Sequence, residues 1–568
     1  MRHSLYIIVL IFGIIEESTA TIIERQSTNA TDVSENGWVS PPNVRGTSNL
    51  LSSCLNTMFL CAWTAYHPNI RPKTSFWKDF SHRVLWLVAA VFAPEVVLFC
   101  ASEQWWIAKR LQRDVNKYTK AGCDSTPAES EIGNIVKSDL ASVPEIVMTD
   151  QVLDHFRDEN FGQDDVEPWT LEQAFYATCG GIAVKSSSFW HQTSLTFTPA
   201  GVVDLAACGL LPVVPEQLVK DKSKADTLAK LFVCVQAGWF LIQSIARLTQ
   251  HLPLTLLEIH TLAHILCAFC MYCLWIQKPY NVEYPTYLED QRAIDLAALF
   301  ALDSGEIKGG EHTYRERKQL TMGDVRRAHT RRPKENIFAR MITWIDPPYV
   351  EPPAATTLMI THFQLASRAF DRLQNCLNLV SETFNNTSKP PKFYVSPTFG
   401  TKLLVPFRND LFTDTGRISI GRFFTFVAFS AVYGAVHLGA WNSHFPSTVE
   451  KWMWRAGGLV MVSTPSFILV SQGLTLGAEA IKAWKRNRNE LPKLSAGRGT
   501  QALTLFVVAL QKGLELILSI SWLTSAFLFS VCVYARFFIF AEVFISLRST
   551  AKGTYQTVVW TDFIPHIG

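Results

Sequence analysis

Charge is scarce in this chain. Only 18% of its 568 residues are Asp, Glu, Lys or Arg, against roughly 25% in a typical soluble domain. The net charge of +3 is too small to steer the chain to nucleic acid. Motifs that announce a soluble enzyme are missing as well. There is no Walker A loop, no G-x-S-x-G, no dinucleotide fingerprint and no protein-kinase set, and Gly180-Gly181 stands alone. No repeat recurs at 20–50 residues. The 12 cysteines are spread thinly. Cys267, Cys270 and Cys273 imitate C-x-x-C, but no second pair follows at zinc spacing, which excludes a zinc ribbon. They read as small residues on one helix face.

What the chain does have is apolar mass: 48% hydrophobic residues, 12% aromatic, 17 Trp and 37 Phe. These residues are clustered, and mean hydropathy is +0.12. The composition predicts an all-α polytopic membrane protein with about six to eight membrane segments, a cleaved amino-terminal signal peptide and two large polar loops.

The signal is expected in residues 1–20. Arg2 and His3 precede an 11-residue apolar stretch, Leu5 to Ile15. That is too short for a hydrocarbon core of about 30 Å. Ser18-Thr19-Ala20 offers a cleavage site. Residues 21–48 form a lumenal or extracellular segment with a glycosylation acceptor at Asn29. A first membrane region covers 49–108, followed by a polar region at 109–228. A transmembrane helix pair occupies 229–277. A second polar region, 278–420, holds the basic run 315–334, which is suited to anionic lipid headgroups. It also holds an amphipathic helix near 355–384. A second helix pair covers 421–476, then a basic loop 477–502, a last membrane region 503–545 and a tail 546–568.

Sidedness follows from the positive-inside rule. Residues 482–498 carry six Lys/Arg against one Glu, so that loop is cytoplasmic. Counting back through two helix pairs makes both polar regions cytoplasmic. With an external amino end, 49–66 then lies at the interface without crossing, and 84–106 is the first span. Arg71, Lys73, Lys78 and Arg83 fall outside in this arrangement. The rival topology crosses at both segments and exposes Asn385 and Asn386 to glycosylation.

Ionisable groups inside apolar runs are the first candidates for function, since each costs about 2.5–3.5 kcal/mol to insert. Glu95, Glu103 and Glu258 are candidates for ligand or proton handling. Pro94 before Glu95 bends a helix and frees a carbonyl, as in a water-lined transport site. The competing reading is a structural pair with Arg536 or Lys512. His260 and His264, four apart, share a helix face and are candidate metal ligands. No H-E-x-x-H glutamate lies between them. His264 with His437 is a possible haem pair, and hydrogen bonding between helices is the plainer alternative. No cofactor follows from these residues.

Several segments carry a family resemblance: HPNI (67–70), APEVVL (93–98), WWIAKR (105–110) and WTLEQAFYATCGG (169–181). Further ones are LPLTLLEIHTLAH (252–264), WIQKPYNV (275–282), ARFFIFAEVFISLR (535–548) and FIPHI (563–567). With them the chain resembles a fungal family of polytopic integral membrane proteins without assigned function. The resemblance implies no activity and no site residues. The expected function is therefore transport, binding or receptor-like, in the secretory pathway or plasma membrane, with the bilayer as partner. The alternatives are a membrane-embedded metal or haem enzyme using His260 and His264, or an accessory scaffold associated with a fungal biosynthetic pathway, acting through 355–384.

Overall fold

The computed structural model describes residues 34–40, 45–64, 67, 69–70, 76–121, 168–190, 193–207, 210–211, 224–279, 282, 285–303, 320–330, 356–381, 395–396, 420–489, 523–525 and 527–560. The expected signal peptide, the acceptors Asn29, Asn385 and Asn386, and the ends of the basic run 315–334 lie outside these residues.

The chain is mostly helical. The elements in order are β1 (Ser34–Asn36), α1 (Thr47–Thr64), α2 (Phe76–Phe92), α3 (Pro94–Ala121), α4 (Leu171–Thr178), β2 (Ile182–Lys185), β3 (Ser194–Phe197), α5 (Pro199–Ala207), α6 (Lys224–Thr249) and α7 (Leu256–Trp275). There follow β4 (Thr286–Leu288), α8 (Gln291–Asp303), α9 (Met322–Thr330), α10 (Thr356–Ser381), β5 (Val395–Ser396), α11 (Ile420–Leu438) and α12 (Thr448–Asn489). The last two are α13 (Leu523–Arg548) and β6 (Ser549–Ala551). Among the described residues three helices are long and apolar enough to cross a membrane: the stretch Leu231–Thr249 of α6, α7 and α13. The pair α2–α3 passes the same test only when taken together.

These helices form a bundle with two distinct ends. At one end β1 pairs antiparallel with β6. There Arg45 N donates to Tyr555 O at 2.8 Å, Arg45 pairs with Glu258 at 2.6 Å, and Arg548 pairs with Glu450 at 2.5 Å. At the other end Lys278 Nζ donates to His67 O at 2.6 Å. Ile70 N meets Cys179 O at 3.0 Å, and Trp169 N meets Asn116 Oδ1 at 2.7 Å. This second end carries the described parts of the polar regions. They are not helical throughout, as an all-α chain would require. A four-stranded sheet runs in the order β4-β2-β3-β5, with β2 antiparallel to β3 and parallel to β4. Its strands are four residues or fewer, too short for alternation to show in sequence.

Helix α1 covers most of the expected segment 49–66 and packs against the bundle. Arg45, just before it, meets Glu258 in the first turn of α7. Thr64 at its far end shares a hydroxyl hydrogen bond with Tyr272 near the end of α7. So α1 runs beside α7 for its full length, about 27 Å at 1.5 Å per residue. Its buried face is Leu50, Cys54, Thr57, Met58 and Cys61. Thr57 returns a hydrogen bond to Ser53 O at 2.8 Å and accepts from Gln236 of α6 at 3.4 Å. Thr57 thus points into the bundle, while Asn56, Leu55, Phe59 and Trp63 point out. Within the expected first span at 84–106 the chain turns by 111° between α2 and α3. The cysteine triplet of α7 fans out: Cys267 is buried and Cys273 exposed, since a step of three residues lags by about 60° each time.

The α11–α12 hairpin is tightly packed. A Cβ on Gly434 would lie 2.7 Å from Val462 Cγ2 and 3.0 Å from Val462 N, so only glycine fits there. Helix α12 continues for 42 residues, through the start of the basic loop expected at 477–502.

At the sheet end, the expected amphipathic helix near 355–384 is α10, packed on α8 and α9. His362 of α10 donates through Nε2 to Ala298 O at 2.8 Å, so its Nδ1 accepts from His329 Nε2 at 2.8 Å. Trp190 lies against both rings. Burial pushes His362 down from 6.5 to about 4, the bond to Ala298 O opposing in part. A folded value below the unfolded one means that the unfolded chain binds more protons below pH 6.5. Stability is therefore full above pH 6.5 and falls as pH drops towards 4, by about 3 kcal/mol in all. Thermal unfolding of wild type and His362→Gln between pH 7.5 and 4.5 checks this. The wild-type slope should flatten in the variant, and equal slopes would refute it.

Candidate functional site at the helix break

Pro94 has no N–H to give and cannot continue α2. The carbonyls just before it lose their helical partners, and two of them are met by side chains from distant helices. Phe92 O accepts from Arg536 Nη1 of α13 at 3.0 Å. Val91 O accepts from His264 Nε2 of α7 at 2.8 Å. Glu95 sits in the first turn of α3, where the helix dipole favours an anion, and its Oε1 pairs with Arg536 Nη2. Glu95 is 1% exposed and its Oε2 meets no donor. Of the two readings of Glu95 from sequence, the structure supplies the partner Arg536. Tyr433 offers its ring face to the same guanidinium at 5.5 Å.

The histidines form a chain beside this pair. His437 Nδ1 donates to Tyr433 O at 2.8 Å, which leaves its Nε2 as an acceptor. His260 Nδ1 therefore donates to His437 Nε2 at 2.9 Å. His260 Nε2 is then a lone pair without a hydrogen-bond partner. His264 Nδ1 lies 3.0 Å from His260 O, and the two rings are 4.6 Å apart. Trp454 Nε1 fixes the end of α11 by donating to His437 O at 3.0 Å. Val91, Phe92, His260, Tyr433, Arg536 and Phe540 surround a cavity of about 10 Å³, the room one water needs.

The structure thus brings Glu95, His260 and His264 together. As candidate metal ligands, the two histidines have three of their four ring nitrogens engaged in hydrogen bonds. Among the described residues no group of three or more His, Cys, Asp or Glu is placed to hold a metal ion. His437, considered as a haem partner of His264, pairs with His260 instead.

The other two carboxylates lie elsewhere. Glu103 is buried about 12 Å further along α3, next in the chain to Gln104, which accepts from Lys278 at 2.8 Å. Glu258 closes a capping box with Thr255 at the start of α7 and pairs with Arg45.

Sequence reasoning missed Arg247, Arg45 and Lys278. Lys278 is buried with its ammonium on His67 O, Asn69 and Gln104 and over the Trp275 ring. A lone cation at the end of an apolar run resembles an ordinary flanking residue. Only its burial sets it apart.

Fold and site together define a helical bundle with a broken helix whose freed carbonyls are held by an arginine and a histidine. The chain belongs to a family described as "Family of unknown function (DUF8562)", which matches residues 18–311 and 412–567. The groups at the break lie inside these stretches, whereas His329 and His362 lie between them. No curated protein and no solved structure matches the chain.

Proposed function

We propose that the chain is a multi-pass integral membrane protein of a fungal secretory-pathway or plasma membrane, and that it has a transport role centred on the helix break. The observation that carries this reading is the break itself. A buried helix interrupted at Pro94, with a carboxylate on the new helix start and side chains on the freed carbonyls, is how membrane proteins build polar sites at depth.

Six segments then cross: α1, α6, α7, α11, α12 and α13. Helices α2 and α3 make a re-entrant hairpin, since a turn beyond a right angle sends α3 partly back. The end bearing β1 and β6 faces the lumen or exterior, and the end bearing the four-stranded sheet faces the cytoplasm. Charge supports this orientation. Lys109, Arg110, Arg113 and Lys117 project at the sheet end. At the opposite end Arg45 and Arg548 are paired with carboxylates and Arg247 with carbonyls. With α1 crossing, Arg71, Lys73, Lys78 and Arg83 follow it on the cytoplasmic side, so the charge exception that arises with a non-crossing 49–66 vanishes.

Two measurements test the reading. Glycosidase treatment should shift the wild-type chain but not Asn29→Gln, while Asn385→Gln and Asn386→Gln still shift. Cells expressing wild type or Glu95→Gln at matched surface levels should differ severalfold in at least one small solute by untargeted profiling. Identical solute profiles at equal expression would remove the transport role, and glycans on Asn385 or Asn386 would reverse the orientation.

A further inference from the structure

His264 has one more carbonyl to satisfy than a neutral imidazole can. Both of its ring nitrogens face carbonyl oxygens, His260 O at 3.0 Å and Val91 O at 2.8 Å. A carbonyl only accepts, so both contacts are hydrogen bonds only when both nitrogens carry protons. A neutral ring sets a lone pair against one oxygen and must let it go. The oxygen of His260 lies in the same helix, four residues back, and cannot leave. Val91 O belongs to α2, at the last turn before the break.

We propose, resting on the transport reading above, that His264 is a proton-binding site whose occupancy decides whether α7 holds the broken helix. Protonated, His264 bridges α7 to α2 and pins the carbonyl that Pro94 frees. After losing one proton it releases Val91 O, and the break is free to rearrange. The proton has somewhere to go: the cavity beside Val91 holds room for one water, and His260 Nε2 lines it as a lone pair without a hydrogen-bond partner. The groups facing His264 from the packed elements are Glu95 of α3, Arg536 of α13, Tyr433 and His437 of α11, and His260 of α7. Glu95 carries the charge opposite to that of a protonated ring, and Arg536 the same charge. Because Arg536 is committed to Glu95 and Phe92 O, the His264 ring can change charge without breaking an ion pair.

Hydrogen–deuterium exchange of the full chain in nanodiscs reads the break directly. Ala93 N bonds to Ala89 O at 2.8 Å and Val96 N to Ala93 O at 3.0 Å, so these amides report on either side of Pro94. After correction for the intrinsic rate, wild-type protection there should fall about tenfold or more from pH 5 to pH 8, as expected for one hydrogen bond to a charged group. His264→Gln should show no such slope. Glu95→Gln should move its midpoint to lower pH, because the neighbouring anion is gone. His362→Gln, in the other histidine pair, should leave it unchanged. Flat wild-type protection overturns the proposal, and so does a slope that survives in His264→Gln or a midpoint indifferent to Glu95. The readout needs no solute, so failure of the transport role and failure of the switch are seen separately.

Discussion

Arg536→Leu should remove most of the folded protein, and a second substitution at Glu95 should restore part of it. Arg536 neutralises Glu95, donates to Phe92 O and lies over Tyr433. Deleting it strands a carboxylate that is 1% exposed and an unbonded carbonyl. Breaking a buried pair by removing one partner costs about 3–5 kcal/mol, because the remaining charge is uncompensated. That is a large share of the roughly 5–15 kcal/mol by which a typical protein is stable. Arg536→Leu with Glu95→Gln removes both charges and leaves only the Phe92 carbonyl short of a donor. The double variant should therefore be more stable than Arg536→Leu alone. Unfolding midpoints in detergent, taken as a double-mutant cycle, measure the coupling. If the two single losses simply add, the pair is a crystal-clear geometric contact with no energetic meaning.

Parts of this arrangement are legible in the residues alone. Pro94-Glu95 inside an apolar run marks a helix that cannot run straight, and an intramembrane carboxylate asks for a cation. Arg536 is one of only two candidates named for it, although 441 positions separate them. What sequence cannot supply is register. Four-residue spacing puts His260 and His264 on one face, but it cannot say that His260 turns to His437 and His264 to a backbone carbonyl. Nor does it give the 111° turn, since proline spacing limits where a helix ends and not where the chain goes next. Helix α1 is hidden for a different reason. Hydropathy averages Thr57 with its neighbours and ignores direction, so it cannot show that Thr57 meets Gln236 of α6 while Asn56 beside it stays exposed. The four-stranded sheet is hidden because its strands are too short for their alternation to stand out against the long helices around them.

Arg247→Lys should detach the carboxy-terminal segment almost as completely as Arg247→Met, despite keeping the charge. Arg247 is fully buried at the end of α6. Its two terminal nitrogens donate to Gln556 O at 2.8 Å, Thr554 O at 2.8 Å, Pro253 O at 3.0 Å and Gly553 O at 3.4 Å. The acceptors come from two loops: the tight turn between α6 and α7, and the turn after β6, where Gly553 takes a positive φ of 85°. Only a planar fork reaches both, and an ammonium presents a single centre on a flexible stem. Each buried carbonyl left without a donor costs about 1–3 kcal/mol, so the loss of several should open this end of the bundle locally. Limited proteolysis of the intact protein should then cut within 549–560 at least tenfold faster, a factor worth about 1.4 kcal/mol, in both variants. Cleavage of Arg247→Lys at the wild-type rate would show that charge, and not the fork, holds the segment. The consequence reaches the break. The turn that Arg247 clamps is the entry to α7, which carries His260 and His264 one and two turns further on, and Glu258 ties the same entry to Arg45. With that end of α7 fixed, a change at His264 cannot be absorbed by a shift of its own helix. It must appear on the other side of the hydrogen bond, at Val91 and the hinge beside Pro94.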